Sequence, residues 1–205
     1  MNPIDLHLHY THTEAELIEA FAKKAQLAPE QAAHFAILRK SIDARKKSDI
    51  RIVYQITQSK NMTPTVGVAG LISSIDSAAA KPRVVVVGAG PAGLFASLYL
   101  ALAGLAPILI ERGQPVEQRQ LDVARYWNGG SLEPESNVQF GEGGAGTFSD
   151  GKLTTGIRDP RCRAVLEEFV ILGAPPEILY LAKPHIGTDR LRTVVSAMRQ
   201  KIIQL

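Results

Sequence analysis

Arg83–Arg112 reads RVVVVGAGPAGLFASLYLALAGLAPILIER. The four valines from Val84 to Val87 are β-branched and short, the signature of a buried strand. Gly88-Ala89-Gly90-Pro91-Ala92-Gly93 follows at once, in the pattern G-x-G-x-x-G. A helix is then predicted to about Ala103, with Leu94, Leu98, Leu102 and Leu105 spaced to face a sheet and Gly104 ending it. Pro107 to Ile110 begins a second strand, closed by Glu111. The three glycines differ in what they allow. Gly88 permits the tight turn, Gly90 lets the backbone approach a pyrophosphate, and Gly93 lets the helix pack close to the strand. N–H groups and the dipole at the helix start attract phosphate. Glu111 stands where a carboxylate accepts hydrogen bonds from ribose hydroxyls and repels a 2′-phosphate. Strand, helix and spaced acid together predict a βαβ dinucleotide site.

The same spacing recurs at Gly141-Glu142-Gly143-Gly144-Ala145-Gly146. Neither SNVQF before it nor TFSDGKL after it supplies the strand or helix a second fingerprint needs. It reads instead as a loop whose N–H groups form an anion nest, or which passes close to a flat ring. Ser149, Asp150 and Lys152 place polar side chains beside it.

Outward from this centre, residues 1–58 predict a small α+β module in β-α-β-β order. IDLHLHY (Ile4 to Tyr10) alternates as a strand, and Thr13 with Glu16 forms a capping box. Leu17, Ile18, Phe21 and Ala25 mark one helix face. Phe35 to Ile42 and the alternating Ile50, Ile52, Tyr54 and Ile56 are partner strands joined through a charged turn. Residues 59–82 read as a linker, whose VGVAGLI segment can dock on a domain surface. Residues 83–205 continue in α/β character. Asp159-Pro160 starts a helix that stops near Gly173, and Thr188 caps a last helix lined by Leu191, Val195, Met198 and Ile202.

The chain has 205 residues, 45% hydrophobic and 21% charged, ordinary for a folded α/β protein. A net charge of +3 without a long basic tract argues against nucleic acid. The densest basic stretch, Arg39 to Arg51, reads as a solvated hairpin tip. Val84 to Ile110 carries no charge, yet glycines and Pro91 interrupt it where a membrane helix would be continuous. Cys162 is the single cysteine, so no internal disulfide forms, and a cytoplasmic location is expected. His7 and His9 lie two apart on a strand in an H-x-H pattern, but the further ligands of a metal barrel are missing, so no metal is expected. His185 reads as structural, with a substrate or flavin contact as the alternative, and no catalytic acid, base or nucleophile is identifiable.

VVVVGAGPAGLFASLYLALAG, then ERG, then NVQFGEGGAGTFSDGKL, resembles a family of bacterial FAD-dependent dehydrogenases with a glutathione-reductase-like cofactor domain. SIDARKKSDIRIVYQI and KPHIGTDRLR also look like family segments. The resemblance implies a Rossmann-like FAD- or NAD(P)-binding domain, incomplete here, with FAD as the tightly bound cofactor. It implies that Arg112 lies near the adenosine end, that Arg119 approaches the pyrophosphate, and that Gly143, Gly144, Ala145, Gly146 and Ser149 approach the flavin or its phosphates. A small-molecule substrate or an electron donor such as NAD(P)H would be the partner. Family members are longer and carry a late Gly-Asp motif that this sequence lacks, and the chain stops within the helical pattern MRQKIIQL. The expectation is therefore an N-terminal fragment of an FAD-dependent oxidoreductase. A non-catalytic cofactor-binding remnant and an NAD-dependent enzyme remain the alternatives.

Overall fold

A computed structural model describes residues 2–61, 67–72, 84–157 and 159–205. The small-residue run from Ser77 to Ala80 and the expected domain start at Arg83 lie outside the described residues. The chain divides into two compact units, Met1–Thr65 with Glu177–Pro184, and Val66–Pro176 with His185–Leu205.

The first unit has the expected β-α-β-β order: β1 (Ile4–His9), α1 (Glu14–Ala25), a short α2 (Pro29–Ala32), β2 (Phe35–Asp43) and β3 (Arg51–Gln58). The sheet is antiparallel in the order β1-β3-β2. Alternation puts Ile4, Leu6 and Leu8 opposite Ile56, Tyr54 and Ile52, so one face is apolar throughout. Leu17 and Phe21 of α1 pack with Leu6, Ala32, Tyr54 and Ile56 into one core. Full burial of Phe21 stabilises the unit by about 1.5–3 kcal/mol.

The capping box starts α1 as its sequence predicts. Thr13 N–H donates to Glu16 Oε2 at 2.6 Å, and Glu16 N–H donates to Thr13 Oγ1 at 3.3 Å. The basic stretch ends in an exposed hairpin tip, where Arg45 pairs with Asp43 at 2.5 Å and Arg51 with Asp49 at 3.0 Å.

A late segment joins this unit, against the expected contiguous domain 83–205. Lys40 N–H donates to Tyr180 O at 2.8 Å and Ala182 N–H donates to Lys40 O at 2.9 Å, a parallel bridge on the outer edge of β2. Edge strands seek such partners because their N–H and C=O groups are otherwise unpaired.

In the second unit, β4 (Val85–Val87), α3 (Pro91–Leu102) and β5 (Ile108–Ile110) form a parallel βαβ unit. Around it lie α4 (Val116–Trp127), α5 (Pro160–Ile171) and α6 (Thr188–Gln204). The strand was expected to be buried, but Val85 and Val87 are 52% and 82% exposed, and Ile108 and Ile110 are 44% and 50% exposed. The reason is alternation in a two-stranded sheet: Val86 turns toward Gly93 of α3, and its neighbours turn away.

Residues 59–82 read as a linker, but Gly67–Ile72 of the VGVAGLI segment packs within the second unit. Its 3-10 turn Gly67–Leu71 packs on α5, and Val68 N–H donates at 3.1 Å to the fully buried Glu168, whose other oxygen accepts from Lys201 at 2.6 Å. Asp159 caps α5 through Arg161 N–H at 2.8 Å, as expected. Thr188 does not cap α6. Gly187 takes that position, and the Thr188 hydroxyl donates to Ser149 O at 2.8 Å instead. No helix among the described residues is long and apolar enough to cross a membrane.

Candidate functional site

The fingerprint turn has the geometry its glycines predict. Gly88 sits at φ +95°, a region that strains any residue with a Cβ, and its N–H donates to Ile110 O at 2.7 Å. A Cβ at position 93 would fall 1.8 Å from Gly88 O, so only glycine lets α3 approach this turn. A Cβ at Gly88 or Gly90 would meet nothing within 4 Å, so the turn faces open space beside the start of α3. Pro91 occupies the first helical position, where no N–H is needed.

Glu111 joins the two ends of the motif. Its Oε2 accepts from Ala89 N–H at 2.6 Å and its Oε1 from Gly113 N–H at 2.7 Å. Each oxygen keeps a further lone pair, so the carboxylate can still receive ribose hydroxyls. Glu111, Ala89 and Gly113 line a cleft of about 680 Å³, together with Glu142 and Arg199.

The second glycine cluster folds directly onto the fingerprint. Gly143 N–H donates to Ala89 O at 2.8 Å, and a Cβ at Gly144 would stand 3.1 Å from Pro91 Cδ. Glu142 N–H is bonded to Gln114 O and Gly144 N–H to Gly141 O, at 3.1 and 3.0 Å. The N–H groups of residues 142–144 thus serve the fold rather than an open anion nest. Ala145 and Gly146 begin a 3-10 turn (Ala145–Phe148), and Gly146, like Gly88 and Gly90, faces open space. Ser149 Oγ donates to Gly146 O at 2.7 Å and accepts from Gly151 N–H at 3.1 Å, which fixes the turn that follows.

Arg119 is placed differently from its expectation. Its side chain is fully buried and donates to the carbonyls of Asn137 (2.8 Å), Val138 (2.9 Å), Glu142 (2.7 Å) and Gly144 (2.7 Å). The guanidinium also lies 4.8 Å from the centre of the Phe148 ring. Burial lowers its pKa, opposed by the carboxylates of Glu111 and Glu142. Its donors are taken up by main-chain oxygens, so it shapes the loop that meets the fingerprint. Arg112 lies on the exposed rim, paired with Glu135.

Glu142 and Arg199 have no local sequence signal. Pro115 precedes α4 and offers no side-chain cap, so Glu142 Oε2 takes the first N–H of α4, that of Val116, at 2.8 Å. The same oxygen accepts from Arg199 at 2.6 Å, and Arg199 also reaches Glu117 at 2.7 Å. Burial pushes the Glu142 carboxyl up, against the lowering pull of Val116 N–H and Arg199. Glu117 is half-exposed, and its bond from Arg199 holds it down at about 2. Only a partner contributed from α6 reveals this clamp, which is why spacing along the chain does not show it.

Residues 2–58 match the family model of a domain of unknown function (DUF8436), and residues 81–133 match the model described as an FAD binding domain. A Clostridium beijerinckii protein described as uncharacterized is 45% identical over an alignment 202 residues long, which covers 92% of this chain and 38% of that protein. The chain therefore spans about two fifths of the length of the curated relative it matches. The FAD match covers the fingerprint, Glu111 and Arg119, and the open space at Gly88, Gly90 and Gly146 fits a group that must bring phosphates against the backbone. FAD is the cofactor of this domain.

Proposed function

We propose that this chain is the cofactor-holding part of a bacterial FAD-dependent oxidoreductase, a dehydrogenase with a Rossmann-like domain. The observation that carries the reading is the open turn at Gly88 and Gly90 beside the doubly bonded Glu111 carboxylate. The N–H groups at the start of α3 and the turn from Gly88 to Gly93 would hold the pyrophosphate. Glu111 would accept the adenosine ribose hydroxyls, with Arg112 at the rim of that end. Arg119 would act through the loop it folds, holding Gly143 and Gly144 against the fingerprint. Gly146 and Ser149 would border the flavin side. Bound FAD would supply hydride and single-electron chemistry. The electrons would enter from a small-molecule substrate or from a donor such as NAD(P)H, in the cytoplasm.

The test is the visible absorbance of the purified chain after incubation with FAD and desalting. Retained flavin absorbance is expected, and it should be lost in Gly90→Val, whose side chain fills the opening. A folded chain that retains no flavin, or that prefers NADH to FAD, overturns the reading.

A further inference from the structure

Glu142 is only 5% exposed, yet it lines the cleft of about 680 Å³ beside Glu111 and Arg199. Both bonds that anchor its side chain, from Val116 N–H at 2.8 Å and from Arg199 at 2.6 Å, end on the same oxygen, Oε2. Oε1 accepts no hydrogen bond among the described residues. The wholly enclosed, unpartnered side-chain atoms among those residues belong to Ser97, Glu135 and Thr147, so Glu142 Oε1 stays open to the cleft. A carboxylate oxygen largely withdrawn from bulk water needs donors in return.

The donors around it are already committed. The N–H groups of Ala89 and Gly113 serve Glu111, that of Val116 serves Glu142 Oε2, and Pro115 has none. Arg199 divides its guanidinium between Glu142 and Glu117. The polar side of the cleft is therefore an acceptor surface: the outer lone pairs of Glu111 and Oε1 of Glu142. Such a surface takes neutral O–H and N–H groups and repels phosphate. Ala101, Pro107, Leu109 and Ile202 add an apolar lining. A nucleoside, with an apolar ring and several neutral donors, matches both halves. The two carboxylates are also tied through one residue, since Ala89 N–H donates to Glu111 at 2.6 Å and Ala89 O accepts from Gly143, next to Glu142, at 2.8 Å.

We propose that Glu142 is a second specificity-determining residue of this site. Its Oε1 accepts a hydrogen bond from a neutral donor on the nucleoside half of the cofactor, a ribose hydroxyl or the adenine amine, and with Glu111 it excludes a ribose that carries a phosphate. The inference rests on the FAD reading above and deepens it.

The test is calorimetric titration of the chain and of Glu142→Gln with ADP, 2′-deoxy-ADP, inosine diphosphate and adenosine 2′,5′-bisphosphate. The glutamine keeps an oxygen for Val116 N–H and Arg199 and presents an amide N–H₂ where Oε1 stood. ADP should weaken by about tenfold or more, the worth of a hydrogen bond to a charged group. The bisphosphate should not weaken, so the preference for ADP narrows by the same factor. A loop that is merely loosened weakens both ligands together, and an unchanged preference overturns the proposal. The two trimmed nucleotides identify the donor: loss of the group that meets Oε1 weakens binding in the parent and not in Glu142→Gln. If each trimmed nucleotide loses as much in the variant as in the parent, the proposal fails. Should Glu142→Gln not fold, the carboxyl-carbon NMR signal of Glu142 in the parent decides, since it should move to saturation with ADP; a fixed signal overturns the proposal. FAD retention in the parent is read separately by absorbance. Retained FAD with unaltered discrimination in Glu142→Gln sinks the role of Glu142 alone, whereas a folded parent that binds neither ADP nor FAD sinks the cofactor reading and this inference with it.

Discussion

The two sheets of this chain solve burial in opposite ways. In the first unit, an antiparallel sheet presents one apolar face to α1, and hydrophobic contacts among Leu6, Leu17, Phe21, Tyr54 and Ile56 make the core. In the second, a parallel pair leaves Val85, Val87, Ile108 and Ile110 exposed, and much of what fixes the unit is polar and buried: Arg119, Asp122, Glu142, Glu167 and Glu168. An antiparallel hairpin closes on near neighbours in sequence. A loop whose backbone does not repeat has to be pinned, and buried charge bonded to carbonyls and N–H groups does that with directional precision.

The largest effect is expected at Arg119. Arg119→Ala leaves the carbonyls of Asn137, Val138, Glu142 and Gly144 without their donor, and should cost about 3–5 kcal/mol. Hydrogen exchange should rise across residues 137–149, and flavin retention should be lost. Arg119→Lys should fail to restore either, because one ammonium cannot reproduce the planar fork. If melting and retention stay unchanged, the loop supports itself and the contrast between the units collapses.

Phe21→Ala should cost about 3–4 kcal/mol by opening a cavity in the first unit. Faster exchange should be confined to that unit, with flavin retention preserved. Loss of flavin in this variant would show that the units are energetically coupled.

Thr13→Ala removes the hydroxyl half of the capping box and should cost about 1 kcal/mol, with Thr13→Ser near native. The measurement is the denaturation midpoint of each variant.

A smaller, pH-dependent effect is expected at Glu117. Its carboxyl is lowered from 4.5 to about 2 in the folded chain by the bond from Arg199. A depressed carboxylate contributes stability above its ordinary pKa, and that contribution fades as pH falls from about 4.5 toward 2. The group is half-exposed, so screening keeps the effect below about 1 kcal/mol. Melting curves of Glu117→Gln against the parent should converge at the acid end of that window; a constant gap assigns the pair no linkage.

Val87→Thr should change stability by less than about 0.5 kcal/mol, because Val87 is 82% exposed. A loss several times larger would mean that this sheet face is covered in solution, and the contrast between the two sheets would narrow.

What was legible in the sequence is what is local. The glycine spacing from Gly88 to Gly93, the Thr13–Glu16 cap, the Asp159-Pro160 start and the apolar line of α6 each lie within a few turns, and each took the predicted form. The bond from Ala89 N–H to Glu111 was not foreseen, because the motif assigns that carboxylate to a ribose. What was illegible depends on partners remote in sequence. Arg119 had a phosphate as its expected partner and found carbonyls; Glu142 caps a helix that begins before it in the chain; Val85 and Val87 read as buried because a run of valines does not tell how many strands flank it.

The pairing of Lys40 with Leu181 also sets a schedule. At about 5–20 residues per second, a ribosome that has made Lys40 needs about 7 to 28 seconds more to make Leu181. During that interval the nascent first unit can collapse around Phe21, but the outer edge of β2 still awaits its last partner. The edge is thus a timing mark in synthesis, because its backbone groups stay unpaired until the segment Glu177–Pro184 has been made.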